Sequence, residues 1–168
     1  MSINDNKSYQ FYKKYHKNKI NKIIHILCIP LIVWSLSVLL NSIVFNVNMY
    51  FIKDTTNINS NLTFFNLDIY LSSIILFFYL LIYTIIDTTC FKPMLFFLSF
   101  IWITSYYFLH NCSYPYYYAI IVNIFSWIMQ FIGHGVFEGN RPALIDSISQ
   151  SFLMAPLFSY YEFKELID

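Results

Sequence analysis

Glycine is almost absent from this chain: three residues in 168, all within Gly133-His134-Gly135-Val136-Phe137-Glu138-Gly139. Glycine has the least bulk and the greatest backbone freedom, so its confinement to one block points to close backbone approach there, to a neighbouring helix or a ligand. Charge is nearly as scarce. Only 11% of residues are charged, against about 25% in a soluble domain, which makes a bilayer the expected solvent. The net charge of +1 excludes nucleic acid as a partner on bulk electrostatics. The three cysteines, Cys28, Cys90 and Cys112, form neither a disulfide framework nor a Cys-x-x-Cys metal site. Also missing are HEXXH, Gly-x-Ser-x-Gly, the P-loop and the dinucleotide glycine fingerprint. Four histidines with no His-x-x-His box are too few for a membrane di-iron desaturase.

What is present is apolar and long. Four runs approach spanning length: 26–45, 69–86, 94–109 and 116–133, of 20, 18, 16 and 18 residues. About 20 residues cross a hydrocarbon core, which makes the third run the shortest candidate. Lys53 and Asp54, then Asp87, Lys92 and Pro93, then Pro115 separate them. The expected fold is all-α: a single integral membrane domain over 1–168, with four transmembrane helices and interfacial segments at 8–22 and 142–161. Within the latter, Leu144, Ile145 and Ile148 share one face of a surface helix, and the Phe152 to Tyr161 run, too short to span, is interfacial or re-entrant. The long polar N-terminal region, with no small-residue cleavage site, does not read as a cleavable signal peptide.

Lysine and arginine set the orientation. Four crossings place Lys7, Lys13, Lys14, Lys17, Lys19, Lys22, Lys92, Arg141 and Lys164 on one side and Lys53 alone on the other. The positive-inside rule makes the crowded side cytosolic, with both termini. His16, His25 and His134 then meet at the cytosolic face, and His110 lies a bilayer away. The sequons Asn61-Leu62-Thr63 and Asn111-Cys112-Ser113 fall in the two lumenal loops, and such triplets are common in an asparagine-rich chain.

Two polar clusters carry the chemistry. Gln130, His134 and Glu138 recur at i, i+4 and i+8, so a continued helix stacks them and lets His134 and Glu138 share one ion, whereas a helix ending at Gly135 swings Glu138 away and leaves it to orient a histidine. Gly139 and Pro142 end that helix and begin the next. The same block also reads as glycine-mediated helix packing with interfacial hydrogen bonds. In the other cluster His16 and His25 are nine residues apart, half a turn out of phase, and face one ion only if the chain bends between them. Asn18 and Asn21 offer the break. The alternative is a basic amphipathic helix on anionic lipid, anchored by Tyr9, Tyr12 and Tyr15. Pro30 is expected to kink the first span. Three histidines and a carboxylate match the ligand types of non-haem Fe(II) oxygenases. A lipid-binding scaffold and a haem protein with two axial histidines fit the same inventory.

Tyr15-His16, Asn21, His25 and Pro30, followed by Trp127, Gln130-Phe131-Ile132-Gly133-His134-Gly135, Phe137-Glu138, Arg141-Pro142-Ala143-Leu144 and Ala155-Pro156, resemble the signature of the 2-hydroxy fatty acid dioxygenases, from Tyr9 to Glu162. That resemblance implies an Fe(II) enzyme of the endoplasmic-reticulum membrane that needs no 2-oxoglutarate. It removes one carbon from a 2-hydroxy fatty acid by α-oxidation with O2, in phytosphingosine breakdown. It implies His16, His25 and His134 as metal ligands and catalytic residues, with Glu138 at the acidic position and Asn21 and Gln130 as partners orienting the ligands. Arg141 either pairs with the substrate carboxylate or anchors the cytosolic side. The acyl tail is expected among the spans. Cys28 in place of glycine, Gly139-Asn140 in place of a more basic pair, and Ser147 in place of asparagine depart from the pattern and bear on chain-length preference.

Overall fold

The computed structural model describes residues 7–14, 16–51, 63–139 and 150–167. Helix α1 (Lys7–Lys14) is followed by a short break and α2 (Lys19–Leu40). Asn18 supplies the break: its backbone is extended and its side chain accepts from Ile20 N, capping α2. Pro30 lies inside α2 without interrupting it. A two-stranded hairpin follows, β1 (Val44–Phe51) and β2 (Thr63–Tyr70), leading into α3 (Leu71–Ile86), α4 (Phe91–Asn111) and α5 (Pro115–Ile132). Pro115 occupies the first turn of α5, where its missing N–H costs nothing. The helix then widens into a π-helical turn, Gly133–Glu138, and a second π turn, Gln150–Met154, precedes α6 (Ala155–Ile167).

The fold is all-α, apart from the hairpin, which stands where the expected reading placed only a loop. Its residues alternate: Asn46 faces Asp68, Val47 faces Leu67 and Asn48 faces Asn66, so polar meets polar and apolar meets apolar across the ladder. Helix lengths differ from expectation too. Three helical stretches, Lys19–Leu40, Thr88–Asn111 and Pro115–Glu138, are long and apolar enough to cross a membrane. The shorter one is Leu71–Ile86, not the run over 94–109. Phe91, Lys92 and Pro93 join the helix begun by that run, because proline is tolerated in a first turn.

These four helices run alternately up and down. At one end Ser37 and Asn41 of α2 meet Ser105 of α4, with Ser37 Oγ and Ser105 Oγ 2.8 Å apart and Asn41 Nδ2 donating to Ser105 Oγ at 3.2 Å. Asn41 also accepts from Ser72 of α3. Asn123 of α5 donates to Ser35 Oγ at 2.9 Å. Such interhelical hydrogen bonds hold helices together where lipid removes the hydrophobic driving force. Ile85, Phe96 and Val136 are more than two-thirds exposed on the outside, a surface suited to hydrocarbon rather than water.

At the opposite end α1 and α6 close the bundle together. Tyr9 and Tyr12 of α1 are buried against Phe158 and Tyr161 of α6, with ring centroids 5.0–5.8 Å apart, and Lys13 pairs with Glu165 at 2.5 Å. The α1 tyrosines therefore pack inward, not out into lipid. Helix α6 is tied to the α3–α4 turn, Tyr161 OH donating to Asp87 Oδ2 at 2.5 Å, and Tyr83 OH donates to Leu153 O at 2.7 Å.

Candidate metal centre

Three imidazoles converge under the α1–α6 cap. His16 comes from the break after α1, His25 from the second turn of α2, and His134 from the π turn after α5. All three are buried, and one ring nitrogen of each lies within 4.8 Å of the others. Their ring centroids are 4.3, 4.8 and 4.9 Å apart, edge to face. The bend at Asn18 is what cancels the half-turn mismatch between His16 and His25.

Hydrogen bonds fix the ring orientations. His16 Nδ1 donates to Tyr12 O at 2.8 Å and His25 Nδ1 to Asn21 O at 2.9 Å, each a bond to the carbonyl four residues back. Anchoring Nδ1–H on a carbonyl leaves Nε2 as the lone-pair nitrogen, the usual preparation of a metal-binding histidine. His16 Nε2 and His134 Nδ1 are buried without a hydrogen-bond partner. Burial, reinforced by His25 alongside, holds His16 well below the usual imidazole range, so its ring is neutral and ready to act as a ligand. Buried orphan nitrogens on neutral imidazoles are the donor set a divalent transition metal takes.

Glu138 does not join the three clustered imidazoles as a ligand. Its Oε1 accepts from Lys17 N at 2.6 Å, and its Oε2 accepts from Asn18 N at 2.9 Å and Asn21 Nδ2 at 3.3 Å. The stacked Gln130–His134–Glu138 column presumes α-helical spacing. The π turn changes that spacing after Gly133, leaving His134 inside and carrying Glu138 to the start of α2, whose positive end favours a carboxylate. Asn21 couples the two halves, since its carbonyl holds His25 and its side chain reaches Glu138. Gly133 makes room for it: a Cβ there would collide with Asn21 Oδ1. Gly139 ends the π turn at φ 68°, its N–H bonded to His134 O. Among the described residues nothing lies within 4 Å of a Cβ at Gly135, so the close approach expected of the glycine block is seen there at Gly133.

The remaining candidates separate. Gln130 is buried one turn before His134. Cys28 is buried on α2. His110 sits at the far end of α4, its ring against Tyr106 at 4.4 Å, and is not among the clustered imidazoles. Tyr15, Asn140, Arg141, the helix expected from Pro142 and Ser147 lie outside the described residues.

Glu162 was not foreseen. It is 1% exposed, accepts from Tyr12 OH at 3.1 Å on Oε2, and has Lys22 Nζ 3.8 Å from Oε1. Burial pushes its carboxyl up to about 7, against the opposing pull of Lys22 and Tyr12. Tyr12 in turn stacks on His16 at 3.7 Å, so Glu162 supports the site through one aromatic ring. The available signal was spacing: Leu157, Phe158, Tyr161 and Glu162 share one face of α6, an apolar stripe that carries the glutamate inward.

A family model described as 2-hydroxy-palmitic acid dioxygenase Mpo1-like matches residues 4–166, which includes every element of this site. The chain belongs to the Mpo1-like family. Among curated relatives, the 2-hydroxy-palmitic acid dioxygenase MPO1 of Saccharomyces cerevisiae is 33% identical over 153 residues, covering 91% of this chain and 75% of the yeast protein. No solved structure matches. The Mpo1-like match runs through both the N-terminal and the C-terminal histidine clusters, the two stretches that the fold brings together.

Proposed function

We propose that this protein is an Fe(II)-dependent dioxygenase that shortens 2-hydroxy fatty acids by one carbon through α-oxidation with O2. It acts in the endoplasmic-reticulum membrane, in the breakdown of sphingoid bases, with both termini in the cytosol. The observation that carries this reading is a triad of buried imidazoles opening on an apolar cavity, in a chain of a family described as 2-hydroxy-palmitic acid dioxygenase. His16, His25 and His134 hold the metal. Bound there, Fe(II) supplies a redox-active Lewis acid with positions open to oxygen and substrate. The protein's own part is to present three neutral rings in fixed orientation, through Tyr12 O, Asn21 O and the π turn.

The cavity receives the acyl chain. His16, His25 and His134 stand at its polar end, and Ile29, Ile32, Val33 and Leu36 continue along α2 beneath them. From His25 to Leu36 the helix rises about 16 Å, room for a long alkyl chain beside the ligands. The rings already touch edge to face, which leaves no gap for a porphyrin between any pair and favours non-haem iron.

Anaerobic purification with metal quantification, then oxygen-dependent turnover of a 2-hydroxy fatty acid, tests the reading. One iron per chain and release of the acid one carbon shorter are expected. Metal-free protein with no turnover after iron loading would return the chain to a lipid-binding scaffold. A strong visible absorption band near the ultraviolet edge would instead indicate haem.

A further inference from the structure

Among the described residues that line the cavity, one amide is buried and uncommitted; the other polar group outside the imidazoles without a hydrogen bond is the indole N–H of Trp127. Among its described lining residues, side-chain amides and hydroxyls come only from Tyr12, Tyr79 and Gln130. Tyr12 OH donates to Glu162 and Tyr79 OH to Phe152 O at 3.2 Å. Gln130 is 6% exposed and its Nε2 has no partner. A buried amide N–H without an acceptor is costly, and leucine at this position would avoid the cost. The glutamine stands in a mostly apolar wall, one helical turn, about 5.4 Å, before His134.

We infer that Gln130 is a substrate-binding residue whose Nε2 donates to the carboxylate of the fatty acid, holding its polar end at the metal while the chain runs down α2. This rests on the proposed function for the identity of the ligand and assigns Gln130 a role distinct from orienting a histidine. The geometry supports it in two ways. Gln130 Nε2 makes no hydrogen bond to any of the three imidazoles, two of which, His16 and His25, are already anchored through Nδ1 on backbone carbonyls. And a donor at the junction between imidazoles and apolar wall faces the place where an amphiphile must put its oxygens. A charge-assisted hydrogen bond of this kind is the stronger class, so it sorts acids from neutral lipids of the same length.

The test compares equilibrium binding of a 2-hydroxy fatty acid and of its methyl ester to the metal-free full-length protein in detergent. The wild type should prefer the acid. Gln130→Leu should bind the acid about ten- to a hundredfold more weakly with ester binding unchanged, and its metal-free form should melt at or above the wild type. Gln130→Glu, an isostere with a negative charge, should lose acid binding further while keeping the ester. Unchanged ester binding also certifies that each variant is folded. Should Gln130→Leu unfold, Gln130→Glu alone decides, because acid binding equal to the wild type overturns the assignment. It is equally overturned if Gln130→Leu keeps the acid preference, if the wild type shows none, or if the variant's defect is confined to metal content. Turnover is measured separately: acid preference lost in Gln130→Leu, with no oxygen-dependent reaction in the iron-loaded wild type, would leave the carboxylate site standing and refute the oxygenase.

Discussion

His16 and Glu138 exchange roles between sequence and structure, and the reason is local backbone geometry. His16 reads in the sequence as half a turn out of phase with His25, while Glu138 stacks on His134 by helical arithmetic. An N-cap at Asn18 brings the first into the site, and a π turn removes the second. Types and spacings made the histidines legible, because a scarce residue at the mouths of apolar runs has few other uses. Helical arithmetic cannot show where the helix itself changes period.

The revised position of Glu138 makes a definite prediction. Glutamine has one acceptor oxygen where the carboxylate has two, and turns an NH2 toward the N–H groups of Lys17 or Asn18. Glu138→Gln should therefore weaken iron binding by about 10–100-fold yet still reach full stoichiometry at saturating metal in a titration. Loss of stoichiometry at saturation would restore the glutamate as a direct ligand. Alanine at His16, His25 or His134 should remove both iron and turnover with little change in expression. His110→Ala should be silent in both assays.

Among the elements, α6 holds the larger surprise. Its proline and its short apolar run read as an interfacial or re-entrant segment, and in the fold it buries Leu157, Phe158 and Glu162. Burying the glutamate has a signed consequence. With its carboxyl at about 7 in the fold, against an ordinary 4.5, the folded protein keeps a proton that the unfolded chain has released between those values. Stability from this group falls as pH rises from 4.5 to 7 and is flat outside that window. Unfolding midpoints measured across that range in detergent should drop in the wild type and drop less in Glu162→Gln. A steeper fall in the variant would contradict the assignment.

The crossing of α2 and the π turn supplies the second prediction at this scale. Gly133→Ala drives a Cβ into Asn21, which cannot yield without releasing Glu138, so iron affinity and turnover should both fall. Gly135→Ala, whose Cβ meets nothing within 4 Å, should match the wild type. Equal behaviour of the two variants would show that the glycine block acts only through flexibility. The hairpin was legible in principle, since polar and apolar residues alternate from Asn46 to Asn48 and from Asn66 to Asp68. It was missed because a search for apolar runs passes over a period of two.

For the whole molecule, the alternating helices put α1, the α3–α4 turn and α6 at one end and His110 at the other, the arrangement that the nine-to-one lysine and arginine distribution anticipates. Charge counting asks only which end a loop occupies, not how its residues pack, so the orientation it proposes is open to a direct test. Impermeant thiol labelling of single-cysteine variants in sealed microsomes should mark Thr88→Cys and Lys164→Cys from the cytosolic side and His110→Cys only after permeabilisation. Labelling of position 110 in intact vesicles would overturn the orientation.

The cap that α1 and α6 form over the imidazoles also sets an order of events during synthesis. His16 is made well over a hundred residues before the helix that holds its segment in place. At 5–20 residues per second, the first histidine waits on the order of ten seconds or more for Phe158, Tyr161 and Glu162 to emerge. Until then the other two ligands have no roof. Any metal this triad holds is therefore captured late in biogenesis, and a chain interrupted before α6, although it contains every histidine of the triad, would leave the ribosome unable to retain it.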